Sequence, residues 1–327
     1  MKTIVLIGGL THLLGGLILA SATAGQPTVV IVVGAPGTPE YGDRFAQWAD
    51  RWELAAEKGE ATCLRVGNAE PGEKNDRQRL EALLGSEPRE SAEPFWLVLI
   101  GHGTFDGRAA KFNLRGPDVS AAELAKWLEP FKRPLVVIDC ASASAPFLNR
   151  LSGPNRVVIT ATKSGYEQNY SRFGDHLSAA IADPAADLDK DDETSLLEAF
   201  LSASGRVAEF YEQEARLATE TALVDDNGDA LGTPAGWFRG TRTTRRAKDD
   251  TPPDGSLANQ LHLIRSRAEQ QVPPEVRARR DELERAVAEL RDAKTEATNE
   301  DEHYARLEPL LVELARLYAA LKEPGED

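Results

Sequence analysis

Three continuous apolar runs constrain this chain more than any other feature. They are 28–33 (Thr-Val-Val-Ile-Val-Val), 95–100 (Phe-Trp-Leu-Val-Leu-Ile) and 135–138 (Leu-Val-Val-Ile). Runs this rich in Val, Ile and Leu, with no polar alternation, predict parallel strands buried on both faces. Residues 156–161 (Arg-Val-Val-Ile-Thr-Ala) predict a further strand, and 61–66 a shorter, half-polar one. Helical spacing falls between them. Phe45, Trp48, Ala49 and Trp52 make one face, residues 77–84 another helix, and Leu124, Trp127 and Leu128 a third. Ser120 with Glu123 fits a capping box. Residues 145–151 and 173–181 predict two more helices, and 111–114 a short strand or hairpin arm. Strands alternating with helices imply βαβ units and a mainly parallel sheet covered on both faces.

Two chemistry-bearing side chains follow these runs directly. Gly101-His102-Gly103 ends the run at Ile100, and Asp139-Cys140 ends the run at Ile138. Ligands bind outside the carboxyl ends of strands in open parallel sheets. A cysteine nucleophile needs a thiolate or a base nearby, and histidine both takes and returns a proton at neutral pH. The Cys140 amide, at a strand-to-helix turn, could face a developing oxyanion. A strand-end Cys that is inert packing and a His that is merely structural are the competing readings.

The totals bound the partners. The chain has 327 residues, 53 acidic against 38 basic, and a net charge of -15, which argues against a broad nucleic-acid surface. Lys2, the apolar stretch 3–19 and Ala22-Thr23-Ala24 predict a signal peptide over 1–24, with an uncleaved membrane anchor as the alternative. The expectation is a secreted or periplasmic protein, free of the membrane once cleaved. Residues 241–256, with Pro252-Pro253, read as a linker. Beyond it, Leu283, Val287 and Leu290, then Leu307, Leu311, Leu314, Tyr318 and Leu321, predict a helical hairpin within 257–327 that could hold a protein partner.

Taken in order, these motifs resemble the caspase-like cysteine peptidases, nearest to the legumain branch. The resemblance spans about residues 28–238. It rests on Gly101-His102-Gly103, on Asp139-Cys140-Ala141-Ser142-Ala143-Ser144, on 158–162 (Val-Ile-Thr-Ala-Thr), on 166–170 (Tyr-Glu-Gln-Asn-Tyr) and on 173–177 (Phe-Gly-Asp-His-Leu). It implies a caspase-like three-layer α/β sandwich with a mainly parallel sheet, here followed by the α-helical hairpin. It also implies a peptidase domain over 28–240 acting through a thioester, with His102 as general base and acid and Cys140 as nucleophile. The amides of Gly103 and Cys140 would form the oxyanion hole. Ser142 and Ser144 match the family's Cys-x-Ser-Gly-Ser turn as substrate-binding positions, with Ala143 replacing Gly. Asp175 could read a basic substrate side chain. The substrate would be a peptide or protein, and no cofactor is required for the chemistry.

Two departures stand out. Pro36 occupies the neighbourhood where legumains carry a supporting Asn, and Ile138 the position of their acidic specificity residue. The resemblance also implies an early strand order of 2-1-3-4. That order would put Cys63 and Cys140 about 14 Å apart, too far for a disulfide. A catalytically inactive caspase-like binding module and a transpeptidase are the alternatives to hydrolysis.

Two acidic loops complete the reading. In 187–198, Asp187, Asp189, Asp191, Glu193, Ser195 and Glu198 follow EF-hand spacing and would hold a structural calcium ion. Position 6, normally Gly, is Asp192. An acidic helix N-terminus is the alternative. Residues 225–229 (Asp-Asp-Asn-Gly-Asp) offer a second metal candidate or a tight Asx-type turn.

Overall fold

The computed structural model describes residues 25–67, 74–248, 251–293 and 299–321. The predicted signal peptide and Asp249-Asp250 of the predicted linker lie outside the described residues. No helix among the described residues is long and apolar enough to cross a membrane.

The apolar runs form the centre of one sheet. Its strands are β1 (Thr28–Val33), β2 (Thr62–Val66), β3 (Phe95–Ile100), β7 (Leu135–Asp139), β8 (Arg156–Thr160), β9 (Leu223–Asp225) and β10 (Thr233–Pro234). The order is β10-β9-β8-β7-β3-β1-β2. The strands from β2 to β8 are parallel, and β9 and β10 join antiparallel at the edge. The early part of this order is the one the resemblance implies. A small side sheet holds β4 (Gly103–Phe105), β5 (Ala110–Phe112) and β6 (Val119–Ser120).

Each central strand is buried on both sides because its alternate residues feed two separate cores. Val29, Ile31, Trp96, Val98, Val136 and Ile138 face one core. It is covered by α1 (Pro39–Lys58), α5 (Phe173–Ala180) and α6 (Leu196–Gln213). Val30, Val32, Leu97, Leu99, Leu135 and Val137 face the other. That face packs under α2 (Asp76–Ser86), α3 (Ala121–Leu128) and α4 (Ala145–Leu151). The Ser120–Glu123 capping box starts α3 as expected. The buried Glu220 carboxylate accepts the Arg172 and Phe173 amides, which pins the start of α5 over the sheet edge.

The C-terminal boundary differs from the expectation. Residues 241–256 are not a bare spacer. Asp254 is buried and accepts the Asp226 and Asn227 amides, while Asp226 accepts those of Gly255 and Ala258. Ala258 on α7 (Ser256–Gln260), Leu261 and Leu263 then pack into the α1/α5/α6 core. Only after α8 (Arg267–Gln271) does the hairpin of α9 (Pro274–Asp292) and α10 (Glu300–Leu321) begin. Arg279 on α9 and Glu313 on α10 pair across it.

Candidate functional site

His102 leaves β3 at the carboxyl edge of the sheet. Its ring sits against Tyr41 and Phe45, with centroids 4.8 and 5.1 Å away. Its Nε2 lies 3.2 Å from the carbonyl oxygen of Pro36, just after β1. A carbonyl only accepts, so Nε2 carries the hydrogen of this bond. Pro36 therefore orients the imidazole through its main chain, in the neighbourhood where the resemblance would place an Asn side chain.

Cys140 is packed inside the fold rather than open at the rim. It is 1% exposed, and its side chain belongs to the α1/α5/α6 core. Trp48 of α1 and Gly174 of α5 close over it. A methyl group on Gly174 would stand 2.7 Å from the Cys140 Cβ and 2.8 Å from the Trp48 ring. Burial, and secondarily the Asp139 carboxyl, push the thiol far above its ordinary pKa. Among the described residues no hydrogen bond joins Cys140 to His102.

The amides expected to line an oxyanion hole have partners within the fold. The Cys140 amide donates to the Leu99 carbonyl at 2.9 Å, continuing the β3–β7 ladder. The Ala141 amide donates to Asp139 Oδ1 at 3.0 Å. The Gly103 amide faces the Ser142 hydroxyl at 3.3 Å, and that hydroxyl donates to the Gly103 carbonyl at 3.2 Å.

The predicted substrate-binding positions serve the fold. Ser142 is buried and spans the Gly103 peptide groups, as just described. Ser144 is fully buried, its hydroxyl 3.1 Å from Thr162 Oγ1 and accepting the Thr162 amide. Ala143 between them takes φ +55, the left-handed conformation that the family's Gly would adopt without strain. Asp175 pairs with Arg51 of α1 at 2.6 Å, and Arg51 also donates to the Asp175 carbonyl. The basic group that Asp175 reads is the chain's own.

The acidic loop 187–198 splits into two parts. Carboxylate oxygens of Asp187, Asp189 and Asp191 lie within 4.8 Å of one another. Burial, then the Glu198, Asp191 and Asp187 carboxylates, raise the Asp189 pKa. Asp192 takes φ +68, the left-handed turn for which position 6 of an EF-hand uses Gly. Ser195 and Glu198, however, form the capping box of α6. The buried Glu198 carboxylate accepts the amides of Leu188, Asp189 and Ser195 and the Ser195 hydroxyl. These two residues build the start of α6. At 225–229, Asp225, Asn227 and Asp229 each accept an amide two or three residues on, which is the Asx-turn alternative.

Three features had no clear signal in the sequence. Asp139 is fully buried, and desolvation lifts its carboxyl to about 7. Asp254, inside the presumed linker, is lifted to about 8 by burial and by the neighbouring Asp226. His262 comes to lie beside Glu193, with Nδ1 3.7 Å from Oε2.

No family model and no curated protein matches this chain. Among solved structures it is similar to the initiator caspase Dronc of Drosophila, at 16% identity and a TM-score of 0.41, covering 72% of this chain and 96% of that one. It is similar to caspase-1 of Spodoptera frugiperda at 7% identity and a TM-score of 0.38, covering 62% and 86%. A Geobacter sulfurreducens protein is similar at 12% identity and a TM-score of 0.38, covering 64% and 97%.

Proposed function

We propose that this chain is a caspase-like recognition module that holds a peptide or protein at the carboxyl edge of its sheet without cleaving it. The observation that carries the reading is the state of Cys140: its thiol is sealed under Trp48 and Gly174, and its amide is spent on Leu99. A nucleophile must be reachable and ionisable, and burial opposes both. The rim that remains favours recognition. Tyr166 is 75% exposed and packs edge-on against Phe105, and Tyr41 and Tyr170 flank the His102 ring. The sequence of residues 1–24 supports a location outside the cytoplasm.

One observation favours the second reading, a cysteine peptidase. Pro36 holds His102 with Nε2 protonated, which leaves Nδ1 of the neutral ring as a proton acceptor. Catalysis would then require Cys140 to leave its packing. Native alkylation separates the two. Recognition without cleavage predicts that iodoacetamide labels Cys140 only after unfolding and that a peptide library stays intact. Rapid labelling that His102→Ala slows, or cleavage that Cys140→Ala abolishes, would establish the peptidase instead.

A further inference from the structure

We propose that Asp191, Glu193 and His262 form a site for a divalent transition-metal ion of the zinc type, which clips the segment after α7 to the loop before α6. The inference goes beyond the recognition reading and does not depend on it. The ligand atoms of the three residues all lie within 4.8 Å of one another. Zinc-to-ligand bonds of about 2.0–2.2 Å place two ligands of one ion up to roughly 4.3 Å apart, so only a small closure is needed.

The second observation is the histidine itself. The His262 side chain is 10% exposed and makes no hydrogen bond among the described residues. It faces Glu193 Oε2 at 3.7 Å, too far for a direct hydrogen bond. The facing oxygen is presented by the fold. Glu193 Oε1 accepts the Ser266 amide, which turns Oε2 toward the ring. Asp191 Oδ1 accepts the Glu193 amide, which ties the third ligand to the second. Asp191 is exposed and opens the cluster to solvent. The imidazole is carried there by a bridge between Ser195 and His262 and by the Leu196 amide bonding Leu261.

The donor set selects the ion. Calcium takes oxygen ligands, whereas an imidazole with two carboxylates suits zinc and its neighbours. Lys190 does not neutralise the cluster from within, because its ammonium donates to the Asp187 carbonyl. Asp191 is shared with the Asp187–Asp189 group, so the all-oxygen half of the loop adjoins this site without supplying its nitrogen.

The test is calorimetric titration of the full chain, stripped with a chelator, using zinc chloride and, in parallel, calcium chloride. One zinc site is expected, weakened at least about tenfold in His262→Ala and in Glu193→Gln and retained in His176→Ala. Zinc should raise the melting temperature of the parent and not of His262→Ala. His262→Gln, which keeps the side-chain bulk, replaces His262→Ala if that variant fails to fold. Absent zinc binding, zinc binding that is undiminished in both His262 variants, or a response to calcium alone would overturn the proposal.

Discussion

The Ala141 methyl, not the Cys140 side chain, stands against Gly103. A Cβ built on Gly103 would lie 3.4 Å from that methyl, and Ala141 packs into the α2/α3/α4 core while Cys140 packs into the opposite one. The glycine that follows His102 thus packs on the Ala141 side of the turn after β7. Cys140 should accordingly behave as a core residue. Cys140→Ala is expected to cost about 1 kcal/mol, the loss of one methyl-sized buried group. Cys140→Ser should cost more, about 1–3 kcal/mol, because its hydroxyl enters apolar packing. Urea denaturation ranks the two, and variants as stable as the parent would contradict the packing role.

Gly103 has little room to change. A Cβ there would also come within 2.2 Å of the Ser142 carbonyl oxygen, and backbone cannot yield as a flexible side-chain end can. Gly103→Ala is expected to destabilise the chain by about 2 kcal/mol or more through overpacking. The same denaturation series reads it. A neutral result would mean that the Ser142 turn is free to move away.

Much of this architecture was legible in the residues. Continuous apolar runs located β1, β3, β7 and β8, because burial on both faces leaves no polar alternation. β9 and β10 escaped notice at three and two residues, too short to carry a period. The C-terminal boundary was misplaced because Ala258, Leu261 and Leu263 enter the core from short irregular segments rather than one amphipathic helix. The burial of Cys140 was not legible, for a sharper reason. Motif spacing located the strand end, but the face of the sheet follows the two-residue period. Val136, Ile138 and Cys140 share the face that Trp48 and Phe173 cover. Only the covering helices, brought in from distant sequence, show that this face is closed.

Three buried carboxyls give the chain an unusual pH dependence. Desolvation lifts Asp139 to about 7 and Asp225 to about 6, and burial with Asp226 nearby lifts Asp254 to about 8. Each folded value lies above that of the unfolded chain, so the native state binds more protons between about pH 4 and 8. Their contribution to stability is therefore whole at the acid end and is lost as pH rises through the folded values. Asp183 acts in the opposite direction. The Ala185 amide and then Arg206 lower its pKa, so its contribution is lost as pH falls. Urea midpoints should decline from pH 5 to pH 8, and Asp254→Asn should flatten the upper part of that slope. A midpoint that climbs over this range, or a slope unchanged in the variant, would refute the assignment.

Glu198 is the residue whose loss should distinguish a helix-capping role from a ligand role most clearly. Its carboxylate satisfies three amides and one hydroxyl at the junction between the acidic loop and α6. Removing a buried charged acceptor leaves those donors without partners, at about 2–4 kcal/mol, whereas losing the Ser195 cap alone costs about 1 kcal/mol. Glu198→Ala should therefore be markedly less stable than Ser195→Ala in metal-free buffer. Glu198→Gln should recover part of the loss, since its amide oxygen still accepts. Were Glu198 chiefly a cation ligand, its removal would instead relieve carboxylate repulsion with Asp189 and raise metal-free stability. Thermal melts of the three variants in the presence of a chelator decide between these outcomes.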